Sequence, residues 1–499
     1  MNKNNWNLYK ESKSGEKTIK AFSSLCSNEY VESTPDDIAY ILRLTDSVGG
    51  KVESYVQSQV DNACYYINLV GEDPIFSNED ISRIHFEEFL EAFDPSTYRR
   101  LAASMDVMSI ALTYLHRFFK PMLMPFEFYK FEKACHLLDI DIPTPPRTND
   151  YKKYLLYYYD ICQVLNAFQI EQDLSDEELC ACVYDYAINY LGTEDSELSK
   201  LPAPTNIWLV GASKDDIKGI DEEGLTNSIW QCSEYTRRGD IIVMYARTPH
   251  SCIHSIWRAS SGGFFNPFDY YHCRTTVQDG IMVPHIKNSE LKQHPYFSQL
   301  PIVRKNMQGV NGVELSVQDY TELLKLLEHK GGDISALPKV LDITDYEVPN
   351  TPLEKDVEEK ILIPFLEKIG YSLDDYTRQL MQKVGRKEKA IPDFVFFPQE
   401  QGRHLNIAPF LIEAKLDFKS AQQRQEDFRQ ALSYAMALQS PLFAICDKER
   451  LVIYKSQNAD IMNPLFENHW AVIHTNPEVF QQIKKTIGKE SILKLQQEK

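Results

Sequence analysis

Three side chains in the C-terminal third have the types and spacing for phosphodiester chemistry: Asp393, Glu413 and Lys415. Asp393 opens the run Asp393-Phe-Val-Phe-Phe397, and Glu413 and Lys415 close the run Ala408-Pro-Phe-Leu-Ile-Glu-Ala-Lys415. Both runs are short, aromatic and aliphatic, and bounded by Pro, Gly and polar residues, a pattern that predicts adjacent buried strands. Residues i and i+2 of a strand share a face, so Glu413 and Lys415 project together while Ala414 enters the opposite, packed face. With Asp393 at the start of the neighbouring strand, two carboxylates and one ammonium converge. Two hard oxygen ligands suit Mg2+ or Mn2+, and Mg2+ keeps waters and accepts phosphate oxygens. Such a cation can deprotonate a bound water and stabilise charge growing on phosphate, with Lys415 placed to position or activate that water.

Flanking elements must hold these groups in place. Thr351-Pro-Leu-Glu354 opens a helix with Pro in its first turn. Glu354 and Glu358 stand four apart on one face of it, and either could add a carboxylate to the site. The alternative is a solvated acidic first turn that suits the helix dipole. Arg378, Lys383, Arg386, Lys387 and Lys389 precede Asp393. Arg378, Arg386 and Lys389 are the candidate DNA-backbone contacts, which would position a strand without reading its sequence; a solvated loop is the other reading. A long helix over Ser420 to Leu438 carries Gln430 and Tyr434 one turn apart, Gln430 being a candidate for orienting water or phosphate. A hairpin over residues 441–454 and a terminal helix over 478–499 close the chain.

Pro392-Asp393, nineteen intervening residues and Glu413-Ala-Lys415 resemble the PD-(D/E)xK nuclease signature. The Glu354–Tyr371 segment resembles the opening helix of the N-terminal nuclease domain of type I restriction R subunits. Gln430-Ala-Leu-Ser-Tyr434 is similar to the QxxxY element of related nucleases. The resemblance implies a restriction-endonuclease-like α/β domain over residues 350–490, with Asp393 and Glu413 as metal ligands and Glu354, Lys415 and Gln430 as further catalytic residues.

A chain of 499 residues is too long for one core, so several domains are expected. The net charge of −19 opposes indiscriminate attachment to nucleic acid, which relies on Lys and Arg, but leaves room for a local basic channel. The ten cysteines are scattered without a C-x-x-C pair, consistent with reduced thiols in an intracellular, cytoplasmic protein. Cys252, His254, His272 and Cys273 fit no common zinc spacing. The first residues lack a signal-peptide core, and the longest apolar stretch, near Val107 to Leu115, is too short to span a membrane. Residues 1–200 show helical periodicity, with a Pro-rich break at 141–150 that could separate two lobes. Tyr154, Tyr157, Tyr158 and Tyr159 are either helical packing or a binding surface.

After Leu201-Pro-Ala-Pro204 the pattern changes to short strands at a spacing that predicts a small barrel. Residues 205–332 resemble the PUA-like superfamily in its EVE-type form, on Asn206-Ile-Trp-Leu-Val-Gly211, Trp230, Gly239-Asp-Ile-Ile-Val-Met-Tyr245, Ile253–Trp257 and Gly309-Val-Asn-Gly-Val-Glu-Leu315. The opening departs from the family, with Gly211-Ala-Ser-Lys214 in place of a Lys-Ser-Glu step. The resemblance implies a pocket for a flipped, often modified base, with Trp208, Ser213 and Trp230 as its candidates and Met307–Gly312 as part of the rim. A flipped base needs an apolar face and edge hydrogen bonds; ordinary core packing would equally explain both tryptophans.

The expectation is a multidomain α+β protein: an all-α region, a PUA-like barrel and an α/β nuclease domain. Its partner would be DNA, with homo-oligomerisation open and no membrane. No Walker A loop is present, since Ser14-Gly-Glu-Lys-Thr18 lacks the first Gly. The leading function is a metal-dependent endonuclease directed by base recognition, in restriction of foreign or phage DNA. A catalytically silent nucleic-acid-binding or scaffolding protein, or a nuclease gated by a ligand or partner at the helical region, are the alternatives.

Overall fold

Ser175 shows how closely sequence punctuation fixes the helices. Its side chain accepts from the Glu178 amide while Glu178 returns to the Ser175 amide, a capping box that starts Asp176–Ala181. The computed structural model describes residues 1–26, 82–92, 128–146, 150–191, 200–225, 228–265, 273–343, 346–347, 349–383, 389–402 and 405–497. The chain divides into two units, residues 1–194 with 266–272, and residues 195–265 with 273–499. The architecture is mixed α and β, as the sequence predicts.

The described part of the first unit is helical: Lys3–Lys10, Lys13–Cys26, Arg83–Ala92, Phe128–Leu137, Tyr151–Gln172 and Asp176–Ala181, the last running on as a π-helical Cys182–Leu191. Trp6, Phe22, Phe86, Phe128, Phe131 and Tyr186 form its aromatic core. Tyr154, Tyr157, Tyr158 and Tyr159 are all buried, which favours packing over a binding surface, and Cys180 and Cys182 lie in the same interior. The buried Asp185 accepts from the Tyr9 hydroxyl at 2.7 Å and the Thr18 hydroxyl at 2.8 Å. The helices expected to start at Thr34 and Asp94, and the one over Tyr98 to Leu123, lie outside the described residues.

The second unit contains two large sheets. The first has seven strands: β1 (Ile207–Ala212), β2 (Ser228–Gln231), β3 (Ile241–Ala246), β4 (Cys252–Ala259), β5 (Phe264–Phe265), β6 (Cys273–Lys287) and β7 (Asn311–Leu315). Their order is β2-β6-β4-β3-β1-β7, with β5 on β6. The sheet curls until its ends meet: a Cβ on Gly312 of β7 would lie 2.4 Å from the Ser233 amide, just past β2. Strand β6 runs unbroken from Cys273 to Lys287. The punctuation at Asp279-Gly280 is a bulge rather than a turn, with Asp279 at φ 53°. Gly280 is required there because the Trp257 ring occupies the space of a Cβ, 2.7 Å away.

The second sheet holds the candidate catalytic residues. Its strands are β8 (Tyr376–Arg378), β11 (Phe394–Phe396), β14 (Phe410–Ala414), β15 (Leu442–Cys446), β16 (Arg450–Lys455) and β17 (Phe466–His469), in the order β17-β16-β15-β14-β11-β8. Two ribbons, β9 (Gln382–Lys383) with β10 (Lys389–Ala390) and β12 (Gln399–Gly402) with β13 (Leu405–Ile407), lie outside this order. Strands β14 and β15 are parallel, and the helix Ala421–Ala437 makes the crossover this requires. Residues alternate between faces. Phe394, Phe396, Phe410, Ile412 and Ala414 pack with Val357, Ile361, Phe365, Trp470 and Ile483. Val395, Leu411 and Phe443 pack with Phe428, Ala431 and Leu432 of the crossover helix. Each fully buried Phe contributes roughly 1.5–3 kcal/mol, so this two-sided burial fixes the strand register that the site depends on.

Candidate active site

Strands β11 and β14 are antiparallel, with Phe394 opposite Ile412. Continuing that register puts Asp393 directly opposite Glu413, on the same side of the sheet. The two are locked through each other's backbone: the Asp393 amide donates to Glu413 Oε1 at 3.2 Å, and the Ala414 amide donates to Asp393 Oδ2 at 3.0 Å. Lys415 Nζ reaches Glu413 Oε2 at 3.2 Å, while its own amide donates to the Cys446 carbonyl at 2.8 Å and prolongs the parallel pairing. The sequence therefore places Asp393, Glu413 and Lys415 together, and Ala414 is buried on the opposite face.

Glu413 is 1% exposed. Burial pushes its carboxyl up, and the Asp393 carboxylate pushes further, to about 8, against the pull of Lys415. Burial acts to lower Lys415, yet Glu413, Asp393 and Asp427 hold its ammonium above the ordinary lysine value. The Cys446 thiol is driven up by burial and then by Asp447, Asp393, Glu358 and Glu413, which marks a concentration of carboxylates around the end of β15.

Of the two candidate helix carboxylates, Glu358 is the buried one, and Glu354 is exposed in the first turn. The Glu358 carboxyl is raised by burial, lowered by its hydrogen bond and ion pair with Arg378, and raised again by Asp393. Glu358 thus faces Asp393 electrostatically in the place the sequence reading gave to Glu354. Its side chain is largely buried where it pairs with Arg378. Arg378 pairs with Glu358 and lies over the Phe394 ring, 5.4 Å from its centroid, so part of its charge is held within the protein. Arg386 falls outside the described residues; Lys389 lies on β10.

Gln430 does not turn toward the three residues. It is exposed, and its Nε2 donates to the Tyr434 hydroxyl at 3.0 Å. Asp427, one turn earlier, is buried and faces Lys415, while accepting from Gln423 at 2.9 Å. Sequence reasoning passed over Asp427; the available signal was a carboxylate on the helix face otherwise occupied by Phe428 and Ala431.

The base-pocket candidates take separate positions. Trp208 is buried on β1, and its indole N–H donates to Asp240 at 2.9 Å. Ser213 caps the helix Lys214–Glu223 by accepting from the Asp216 amide at 3.2 Å. Trp230 is half-buried on β2 against the same core as Trp208. Met307 is buried in the core between the sheet and helical residues such as Val303 and Leu323, a different cluster from that of Trp208. His254 stacks on His285 at 5.1 Å; among the described residues no group of three or more His, Cys, Asp or Glu could hold a metal ion. No described helix is long and apolar enough to cross a membrane.

No family model matches the chain, and no curated protein matches it. The NMR structure of Rpa0253 from Rhodopseudomonas palustris aligns with 25% of this chain and 94% of its own, at 14% identity. Its TM-score is 0.22, a likeness too slight to carry any argument about fold or function.

Proposed function

We propose that the chain is a divalent-cation-dependent nuclease of PD-(D/E)xK type acting on DNA. The observation that carries this reading is Asp393 opposite Glu413 on neighbouring strands, with Lys415 on Glu413. Two like charges forced together in a buried place, one of them raised toward neutral pH, fit a site where a cation takes the place of a proton. A pair of carboxylates is also enough for Mg2+, which is commonly held by one or two carboxylates plus substrate phosphates. Asp393 and Glu413 would hold it, and when bound it would acidify a water and offset charge on the phosphoryl oxygens.

The remaining chemistry belongs to the chain. Lys415 keeps its proton and presents a cation beside Glu413, where it can orient the attacking water or steady the developing charge. Glu358 holds Arg378 and adds negative potential at Asp393. Arg378, exposed beside Glu358, and Lys389 on β10 would meet backbone phosphates. The curled sheet would direct the enzyme to its target by recognising a base, and restriction of foreign DNA is the setting that pairing suits. Digestion of matched unmodified, methylated and hydroxymethylated DNA with Mg2+ tests both parts. Preferential cutting of one substrate is expected. Equal cutting of all three removes base-directed targeting, and no cutting of any of them removes the hydrolytic reading.

A further inference from the structure

The hairpin that carries Asp393 does not end at the six-stranded sheet. Strands β8 and β11 pair with Arg378 opposite Phe394. One step further along, the Gln379 amide donates to the Asp393 carbonyl at 2.9 Å. The same register then reappears in the separate ribbon, where Gln382 pairs with Ala390 and Lys383 with Lys389. A two-stranded arm therefore runs from the sheet, past Asp393, into β9 and β10, and Met381 falls opposite Ile391 on it.

The two faces of the arm differ. Gln382, Ala390 and Pro392 are buried, and Gln382 Oε1 accepts from the backbone and side-chain amides of Asn406, both at 3.1 Å, which fastens the arm to β13. Met381 and Ile391 alternate with these residues and are 54% and 43% exposed. Directly opposite residues hold their Cβ atoms about 4.5–5.5 Å apart, so the two make one apolar patch. Ile391 stands two residues from Asp393 on extended chain, about 7 Å away on the same face. Two large apolar side chains kept in water beside Asp393, on an anchored arm, point to a partner surface rather than to packing. Charge sets the partner's sign: residues 382–390 include Lys383, Arg386, Lys387 and Lys389 against Glu388, in a chain of net charge −19. A two-stranded ribbon fits the major groove of duplex DNA, and Met and Ile are among the side chains that wedge between base steps.

We propose that this arm enters duplex DNA at the cleavage point, Met381 and Ile391 prising apart a base step while the positive charge of β9 and β10 follows the flanking phosphates. The inference rests on the nuclease reading and supplies its substrate form, a duplex kinked at the cut. Opening the step turns one strand toward the buried Glu413.

The full chain, in chelator, is titrated with two duplexes of one sequence, one perfect and one with a central mismatch, each carrying 2-aminopurine beside the central step. A mismatch has already lost much of its stacking, so the mismatched duplex should bind about tenfold tighter or more, with a rise in 2-aminopurine fluorescence. Met381→Ser combined with Ile391→Ser, which alters only exposed side chains, should abolish the preference and the rise while binding of the perfect duplex persists. Lys383→Gln combined with Lys389→Gln should weaken both duplexes alike and lower the salt slope by about one per lysine. The proposal is overturned if the wild type binds both duplexes equally or binds neither, if the preference survives in the Met381 and Ile391 variant, or if the lysine variant keeps the full salt slope. No hydrolysis enters these titrations. A chain that shows the preference yet never cuts DNA with Mg2+ loses only the nuclease reading, and one that cuts DNA but binds both duplexes equally loses only the arm.

Discussion

At the residue scale, the raised Glu413 carboxyl makes stability depend on pH in a definite direction. Unfolded, a glutamate ionises near 4.3, whereas Glu413 in the fold holds its proton to about 8. Its contribution is therefore complete at low pH and is lost as pH rises through that window. Without divalent cation, Tm should fall between about pH 5 and pH 8, and Glu413→Gln should flatten the slope and raise Tm at the alkaline end. Mg2+ should stabilise the wild type more at pH 8 than at pH 6, because it competes with the proton; no such trend would argue against Glu413 as a ligand. The buried Glu358 gives a second contrast. Glu358→Gln should lower cleavage roughly 10–100-fold, as loss of an outer-shell partner does, whereas Glu354→Gln should change it little. Steady-state rates on one substrate separate the two. The three central residues were legible because strand alternation fixes which side chains share a face. Glu358 over Glu354 was not, since carboxylates four apart share one helix face and the spacing does not say which of them is buried. Nor was Gln430 turning to Tyr434, because a polar side chain on an exposed helix face has no packing to declare its direction.

At the element scale, the strands most legible in the sequence were those buried on both faces, such as β11, β14 and β15, whose continuous apolar runs admit few other readings. Short edge strands were missed. Three-residue β8 is half exposed, and β17 carries Glu-Asn-His where alternation would be sought. Asp279-Gly280 interrupts the apolar pattern of β6 without ending the strand. Gly280 serves packing instead, and Gly280→Ala should push a methyl into the buried Trp257 ring at a cost of about 1–3 kcal/mol. Urea denaturation measures it; an unchanged midpoint would mean that the bulge relaxes freely. The terminal helix likewise divides at Gly488 into Pro477–Ile487 and Lys489–Gln497, a break the polar C-terminal pattern did not reveal.

At the scale of the whole molecule, sequence patterning separated the helical region from the mixed α and β remainder, but not the way the two sheets of the second unit join. That joint is polar and buried. Arg450 is fully buried, donating to Glu467 at 2.7 Å, to the Arg238 carbonyl at 3.0 Å and to Thr205 at 2.5 Å. Arg237 meets Asp447 across the same boundary. Charges that pair across sheets distant in sequence leave no local signature. Arg450→Met strands Glu467 without its cation, and loss of one partner of a buried pair costs about 3–5 kcal/mol. Denaturation of the variant should therefore begin earlier, and a midpoint equal to wild type would make the joint dispensable.

The most direct measurement is nicking of supercoiled plasmid by the purified chain with Mg2+, set beside folded Asp393→Asn, Glu413→Gln and Lys415→Ala variants. Nicking that needs Mg2+ and falls roughly 10²–10⁴-fold in Lys415→Ala, with equal or greater loss in the two carboxylate variants, is the expected result. Undiminished nicking in any of the three, or none by the wild type with Mg2+ or Mn2+, would contradict it.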